Sequence, residues 1–358
     1  MATPGVQDAM KRSTDSRLGR MRVLLTGGAG YIGAHTAVAL VEAGHDIAIV
    51  DDLSGVSAIA LDRLAEITGV EIPFLAADVR DEVAVADFVR SLGRVDAVIH
   101  LAGVKSVAES MSQPLRYYDV NVGGVVSMLR VAKGAGARTV VFSSSATVYA
   151  AENRMPLTEE AITELRQSNP YGKSKRIAEE VLRDAARADE NLRVVLLRYF
   201  NPVGAHPSGR IGEDPLGEPQ NLMPIVSRVA AGQRSALSVY GDDYPTPDGT
   251  ALRDYIHVLD LAEGHVAAVE RAPDGVSVYN LGTGSAVSVR ELVSAFEKAS
   301  GRPVPTVSAP RRPGDQPVSY ADPAKARREL GWVASRSIAE ACADYWRWQD
   351  RNPRGYRD

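Results

Sequence analysis

The sequence predicts an α/β chain built on a doubly wound parallel sheet, with a smaller C-terminal lobe. Three observations predict it. Up to residue 199, strand-length apolar runs alternate with stretches of helical periodicity, the pattern of a parallel sheet covered on both faces. The first run leads into a glycine-rich turn, Thr26-Gly27-Gly28-Ala29-Gly30-Tyr31-Ile32-Gly33, which opens directly into a helix. From Asn201 the alternation stops and prolines and glycines crowd in, Pro202, Gly204, Pro207, Gly209, Gly212, Pro215, Gly217 and Pro219 among them.

The elements follow in order. Residues 21–25 form the first strand and 34–43 the first helix, stopped by Gly44. Residues 46–50 are the second strand, ending in Asp51, and 56–67 a helix. The third strand, 72–77, runs into Asp78-Val79; a helix over 81–91 and a fourth strand over 95–101 follow. Pro114 starts a long helix that reaches about residue 133. Residues 139–142 are the fifth strand, ending in Ser143 to Thr147. A helix over 171–188 and a sixth strand over 193–199 complete the first unit. Residues 1–20 are polar and read as a disordered extension rather than a signal peptide. Residues 21–200 are then the dinucleotide domain and 201–350 the substrate lobe, with returns to the first domain from within 255–285.

Composition excludes several classes. The chain has 358 residues, 45% of them hydrophobic and 24% charged, and a net charge of −4. That charge gives no support to nucleic-acid or membrane-surface binding. No apolar stretch approaches the ~18 residues of a membrane span. A single cysteine, Cys342, allows no internal disulfide and fits a reducing compartment, hence the cytoplasm. It reads as a small buried residue of a C-terminal helix. No metal-ligand cluster is read.

The glycine turn carries specific chemistry. Without side chains at Gly27 and Gly28 the chain can turn tightly off the strand; Gly30 admits a pyrophosphate to backbone N–H groups; Gly33 lets helix and strand pack closely. The helix N-terminus then faces the phosphates with unpaired donors and partial positive charge. Such a pattern also makes a plain structural turn. Its place between strand and helix, and Asp51 about 20 residues on to accept from a ribose hydroxyl, favour a dinucleotide. Every loop of interest follows the C-terminal end of a strand, where open parallel sheets bind ligands.

Tyr171 and Lys175 stand four residues apart on one helix face. An ordinary tyrosine, with a pKa of about 10, is a poor base at neutral pH. A nearby ammonium, or a nicotinamide cation, stabilises its phenolate. Alone, the pair is more often a chance surface feature. Ser145 at the end of the fifth strand changes the balance. Serine, tyrosine and lysine beside a dinucleotide site suit hydride transfer at a carbinol carbon: the tyrosine takes the hydroxyl proton and the serine binds the reacting oxygen.

With these residues in view, the chain resembles the extended short-chain dehydrogenase/reductase superfamily, which implies a Rossmann-like fold. Longer strings narrow it: Ser143-Ser144-Ser145-Ala146-Thr147-Val148-Tyr149, the run from Leu196 to Pro207, the run from Gly249 to His257, and Ala309 to Asp315 closely resemble the UDP-glucose 4-epimerase family. The match runs from about residue 21 to the C-terminus. The resemblance implies NAD held by the glycine turn (Gly27, Gly30, Tyr31, Ile32 and Gly33), by Asp51, Asp52, Leu53, Ser54, Gly55 and Val56, by Asp78 and Val79, by Leu101, Ala102, Gly103 and Lys105, and by Asn121, Ser145, Tyr171, Lys175 and Phe200. It implies a UDP-hexose held by Ser145, Tyr171, Asn201, Asn221, Leu222, Met223, Ser238, Val239, Tyr240, Arg253, Arg312, Asp315 and Ser319. The two arginines suit a diphosphate clamp and Tyr240 can stack on uracil.

The resemblance further implies epimerisation at C4 with NAD retained; a homodimer is expected. Three positions depart from the family's pattern. Asp52 stands where asparagine is common, Val120-Asn121 replaces a pair of asparagines, and Ser319 replaces a bulky residue facing the sugar's C2 substituent. The last opens the pocket to N-acetylated hexoses, unless Tyr320 fills the space. A 4,6-dehydratase or reductase is the rival enzyme; dehydratases carry Asp-Glu where this chain has Ala146-Thr147. A non-catalytic NAD sensor is the rival of another class, and such proteins usually lose the tyrosine or lysine.

Overall fold

A computed structural model describes residues 19–163, 169–312 and 314–357. The expected extension over 1–20 therefore lies outside the described residues apart from Gly19 and Arg20.

The strands β1 (Arg22–Thr26), β2 (Asp46–Asp51), β3 (Phe74–Ala76), β4 (Ala97–His100), β5 (Thr139–Ser145), β6 (Arg193–Tyr199) and β11 (Val276–Leu281) form one parallel sheet in the order β11-β6-β5-β4-β1-β2-β3. Side chains alternate across it, as the twofold period of a strand requires. Val23, Leu25, Ile47, Ile49, Ile99, Val141 and Leu197 enter one core; Leu24, Ala48, Val50, Val98, Val140, Phe142 and Leu196 enter the other. With both faces buried, these strands are continuous apolar runs, which is why they were legible.

The first face carries α1 (Tyr31–Glu42), α2 (Ile59–Thr68) and α9 (Val258–Arg271), with α1 packed on α9. The second carries α3 (Glu82–Leu92), α6 (Gly124–Ala135) and α7 (Pro170–Ala188). Asp81 caps α3 by accepting from the Ala84 N–H at 3.1 Å. Neighbours of β1 arise on its two sides by opposite crossovers, so the C-terminal ends of β1 and β4 flank a switch point, the crevice where such sheets bind ligands.

One expectation needs correction. The helix predicted over 114–133 is not continuous. It comprises α5 (Pro114–Tyr118), a π-type turn over Asp119–Gly123, and α6. The wider turn rotates Asn121 into the interior, where it is buried. A short helix α4 (Val107–Ser112), capped by Ser106, also precedes Pro114.

Beyond β6 the elements are short: β7 (Asn201–Val203), α8 (Leu222–Ala230), β8 (Leu237–Tyr240), β9 (Leu252–Arg253), β10 (Tyr255–His257), β12 (Val287–Ser288), α10 (Val289–Ser300), β13 (Thr306–Ala309), β14 (Val318–Ser319), α11 (Ala324–Leu330) and α12 (Ile338–Arg351). Small sheets β7–β10, β12-β9-β14 and β8–β13 build this part. Capping boxes start α10 (Ser288, Glu291) and α12 (Ser337, Glu340). Cys342 is fully buried in α12. No helix among the described residues is long and apolar enough to cross a membrane.

Candidate active site

The glycine turn is a cradle that side chains would fill. Gly27 has φ 75°, and a Cβ there would lie 2.5 Å from the Ala102 nitrogen. A Cβ on Gly33 would lie 2.3 Å from the Gly27 carbonyl oxygen, so no alanine fits. Gly30 is the N-cap of α1 and no side chain caps the helix, which leaves its first N–H groups free for an anion. The Tyr31 hydroxyl donates to the Gly204 carbonyl at 2.6 Å and so ties this turn to the chain after β7.

Asp51 ends β2 under the cradle. Its carboxylate accepts from the Ala29 N–H at 3.1 Å and the Leu53 N–H at 2.9 Å. Burial pushes its pKa up, and the two N–H groups oppose that. Leu53 adopts a left-handed φ of 57° to make its bond. Asp52 is exposed and accepts from Ser54 N–H at 2.9 Å and its hydroxyl at 2.7 Å. Val56 lies 4.0 Å from the place a Cβ on Gly30 would take. Asp78, after β3, is paired with Arg80 at 2.5 Å, which holds its carboxyl low; Val79 is buried. Leu101 and Ala102 both donate to the Thr26 carbonyl at 2.9 Å, binding the loop after β4 against the glycine turn.

Tyr171, Lys175 and Ser145 come together where β5 meets α7. The Ser145 hydroxyl is near enough to favour the charged form of Tyr171, and the Tyr171 ring meets Tyr117 edge-on at 6.3 Å. Lys175 donates from Nζ to the Ser143 carbonyl at 2.8 Å, 4.8 Å from the Phe142 ring centre. Here the electrostatic expectation is corrected. Burial pushes the Tyr171 phenol up, and the group that lowers it is the Ser145 hydroxyl, not the Lys175 ammonium. Burial in turn pulls Lys175 down to about 8. In this structure the lysine holds backbone, and the serine tunes the tyrosine.

Asn121 also departs from expectation. Its amide braces the protein rather than standing free toward a cofactor: Oδ1 accepts from Val104 N–H at 2.9 Å, and Nδ2 donates to Val104 O at 3.1 Å and Ser174 Oγ at 2.9 Å. It thereby joins the loop holding Gly103 to the helix holding Tyr171. Gly103 is required there, since a Cβ would lie 2.7 Å from Asn121 Oδ1. Phe200 is buried in a small cluster with Tyr149, Leu157 and Ala321.

On the other side of the crevice, Arg253 forms an ion pair with Asp315, and Ser319 stands beside Arg253 in the β9–β14 register. Ser238 and Tyr240 face outward from β8 while Val239 is buried. The Arg312 guanidinium lies 4.0 Å over the Tyr240 ring, so a base stacked on Tyr240 needs the opposite face or a displaced arginine. Asn201 is exposed; Met223 is buried and Leu222 half-buried. Asn221 donates to Glu213 Oε1 at 3.0 Å, and Lys105 approaches the same oxygen at 3.5 Å.

Sequence reasoning missed two partners here. Thr147 donates from Oγ1 to Ser145 Oγ at 3.0 Å, and its N–H does so at 3.2 Å. The Ser-x-Thr spacing across a strand end was the available signal. His100 bonds Thr26 Oγ1 at 2.7 Å, and burial with Lys175 close by pushes it to about 3, so it is neutral. No sequence signal marked it.

The sequence profile of the NAD dependent epimerase/dehydratase family matches residues 23–282. The chain belongs to this family. A UDP-glucose 4-epimerase of Bacillus subtilis is 54% identical over 339 residues, 94% of this chain and 99% of the relative. The solved structure of UDP-glucose 4-epimerase from Bifidobacterium longum in complex with NAD+ and UDP superposes with a TM-score of 0.89 at 49% identity, covering 93% of this chain and 99% of that one. A Stenotrophomonas maltophila UDP-glucose 4-epimerase structure, with bound NAD and formylated UDP-arabinopyranose, gives 0.90 at 46%, covering 94% and 99%. In this member of the NAD dependent epimerase/dehydratase family, no side chain caps the start of α1, and the buried Asp51 carboxylate accepts from the Ala29 N–H of the glycine turn.

Proposed function

We infer that the chain inverts C4 of UDP-hexoses, interconverting UDP-glucose and UDP-galactose, with NAD as its bound cofactor. The observation that carries this reading is the convergence of Ser145 and the α7 pair Tyr171 and Lys175 on the end of β5, with Lys175 bonded to the Ser143 carbonyl and Ser145 acting on the Tyr171 phenol, at the sheet edge that also holds the glycine cradle. The cradle, Asp51, the 101–105 loop and Lys175 would hold NAD, which would supply a reversible hydride acceptor. Tyr171 removes the proton of the 4-hydroxyl and later gives it back. Ser145, aligned by Thr147, binds the reacting oxygen. Arg253 and Arg312 hold the diphosphate by charge-assisted bonds. The hexose meets neutral groups, Asn201, Asn221 and Ser319, which leave it free to present either face. The test is conversion of UDP-galactose by the purified chain with no dinucleotide added; no conversion overturns the reading.

Asp51 and Asp52 place two carboxylates at the adenosine ribose, where they repel a 2′-phosphate. Protein denatured after purification is expected to release NAD. Release of mainly NADP, read by chromatography, contradicts that assignment.

Residues 21–200 with the returning α9 and β11 form the proposed cofactor domain, and the rest of 201–350 the substrate lobe. A second copy of the chain is the proposed partner of α4 and α5, whose Val107, Met111 and Leu115 are 43%, 61% and 81% exposed. The cytoplasm is the proposed location, on the strength of the unpaired, buried Cys342.

A further inference from the structure

We propose that Glu179 is a positioning residue for the reaction, acting through Ser144 with Arg198 as its counter-ion. Tyr171, Lys175 and Glu179 stand four residues apart on α7 and share one face over successive turns. Each meets one of three consecutive residues at the end of β5. The Ser145 hydroxyl acts on the Tyr171 phenol, Lys175 donates to the Ser143 carbonyl at 2.8 Å, and the Ser144 hydroxyl donates to Glu179 Oε1 at 2.6 Å. Helix and strand thus meet in three rungs, of which the first two carry the reacting groups.

The third rung is the most tightly built. Glu179 is fully buried. Arg198 donates to it twice, from Nε at 3.0 Å and from Nη2 at 2.7 Å. Arg198 lies opposite Ser144 in the β5–β6 register, so both partners of the carboxylate are fixed by one pair of strands. Arg198 also donates to the Glu159 carbonyl at 3.2 Å and lies 4.8 Å from the Tyr149 ring centre; the Tyr149 hydroxyl donates to Asn280 of β11 at 2.6 Å. Arg183, one turn along α7, stands at 4.0 Å on the solvent side. A buried carboxylate is tolerated only while its hydrogen bonds are complete. Sliding or rolling α7 against β5 breaks them, so the pairing fixes the height of Tyr171 above Ser145.

A cluster that merely held the fold would change stability alone; one that sets the tyrosine must change turnover at unchanged binding. The decisive variant is Ser144→Ala, which cuts the rung and keeps the Glu179–Arg198 pair. The holoenzyme is expected to keep its NAD content and its KM for UDP-galactose while kcat falls roughly tenfold, since misplacement by about 1 Å can cost up to 10²-fold. Glu179→Gln should lower kcat further, again at unchanged KM; it leaves Arg198 poorly paired, so Ser144→Ala carries the decision if that variant does not fold. Wild-type kcat in Ser144→Ala, with or without a lower Tm, overturns the proposal. So does a fall in kcat matched by loss of NAD or a rise in KM. The inference rests on the epimerase reading, and an inactive wild-type chain would overturn that reading instead.

Discussion

Replacing Tyr171 with phenylalanine is expected to lower kcat by about 10²–10⁴-fold, the usual worth of a positioned acid–base group. That is about 3–5 kcal/mol of barrier. The half-buried ring packs edge-on against Tyr117, so phenylalanine keeps that contact and loses only the hydroxyl. With it goes the phenol whose burial-driven rise in pKa the Ser145 hydroxyl opposes. UDP binding, which we propose rests on Arg253 and Arg312, should change little. Turnover and a calorimetric Kd for UDP check both halves. Near-wild-type kcat would remove Tyr171 from the mechanism.

Ser319 sets the second large effect. It is half-buried on β14, in register with Arg253, and its carbonyl accepts from the Asp254 N–H at 3.1 Å. The backbone there is held firmly, so side-chain volume decides what fits beside it. We propose that serine leaves room here for an N-acetyl group at C2 of the sugar, so that the chain also interconverts UDP-GlcNAc and UDP-GalNAc. Ser319→Tyr should abolish that activity and spare UDP-galactose, because overpacking penalises only the larger ligand. The readout is the ratio of kcat/KM for the two pairs. A wild-type chain inert toward UDP-GalNAc would mean that Tyr320, whose carbonyl is held by Leu157 N–H at 2.9 Å, fills the space instead.

The sheet was legible because its strands are buried on both faces and therefore write themselves as unbroken apolar runs. The glycine turn was legible because its geometry admits no side chain, as the contacts at Gly27 and Gly33 show. The break at Asp119–Gly123 was not. A π-type turn inserts one residue without disturbing helix-forming composition, and only the tertiary demand for Asn121 beneath the 101–105 loop reveals it. The two-residue strands β9, β12 and β14 were also invisible, since pairing across long sequence separations makes them. At the site, residue types could be read from the order of the chain, but not their partners. The sequence placed Lys175 beside Tyr171; the folded chain turns its ammonium to the Ser143 carbonyl and leaves Ser145 to act on the phenol. Glu179 reads in sequence as one more charged residue on an amphipathic helix, and only burial shows otherwise.

On this mechanism the hydrogen that leaves C4 returns to C4. UDP-galactose deuterated at C4, incubated with the purified chain and no added dinucleotide, tests it most directly by mass spectrometry and proton resonance of the product. The expected product is UDP-glucose that retains the deuterium at C4. Product that carries solvent hydrogen at C4, or no product at all, would contradict it.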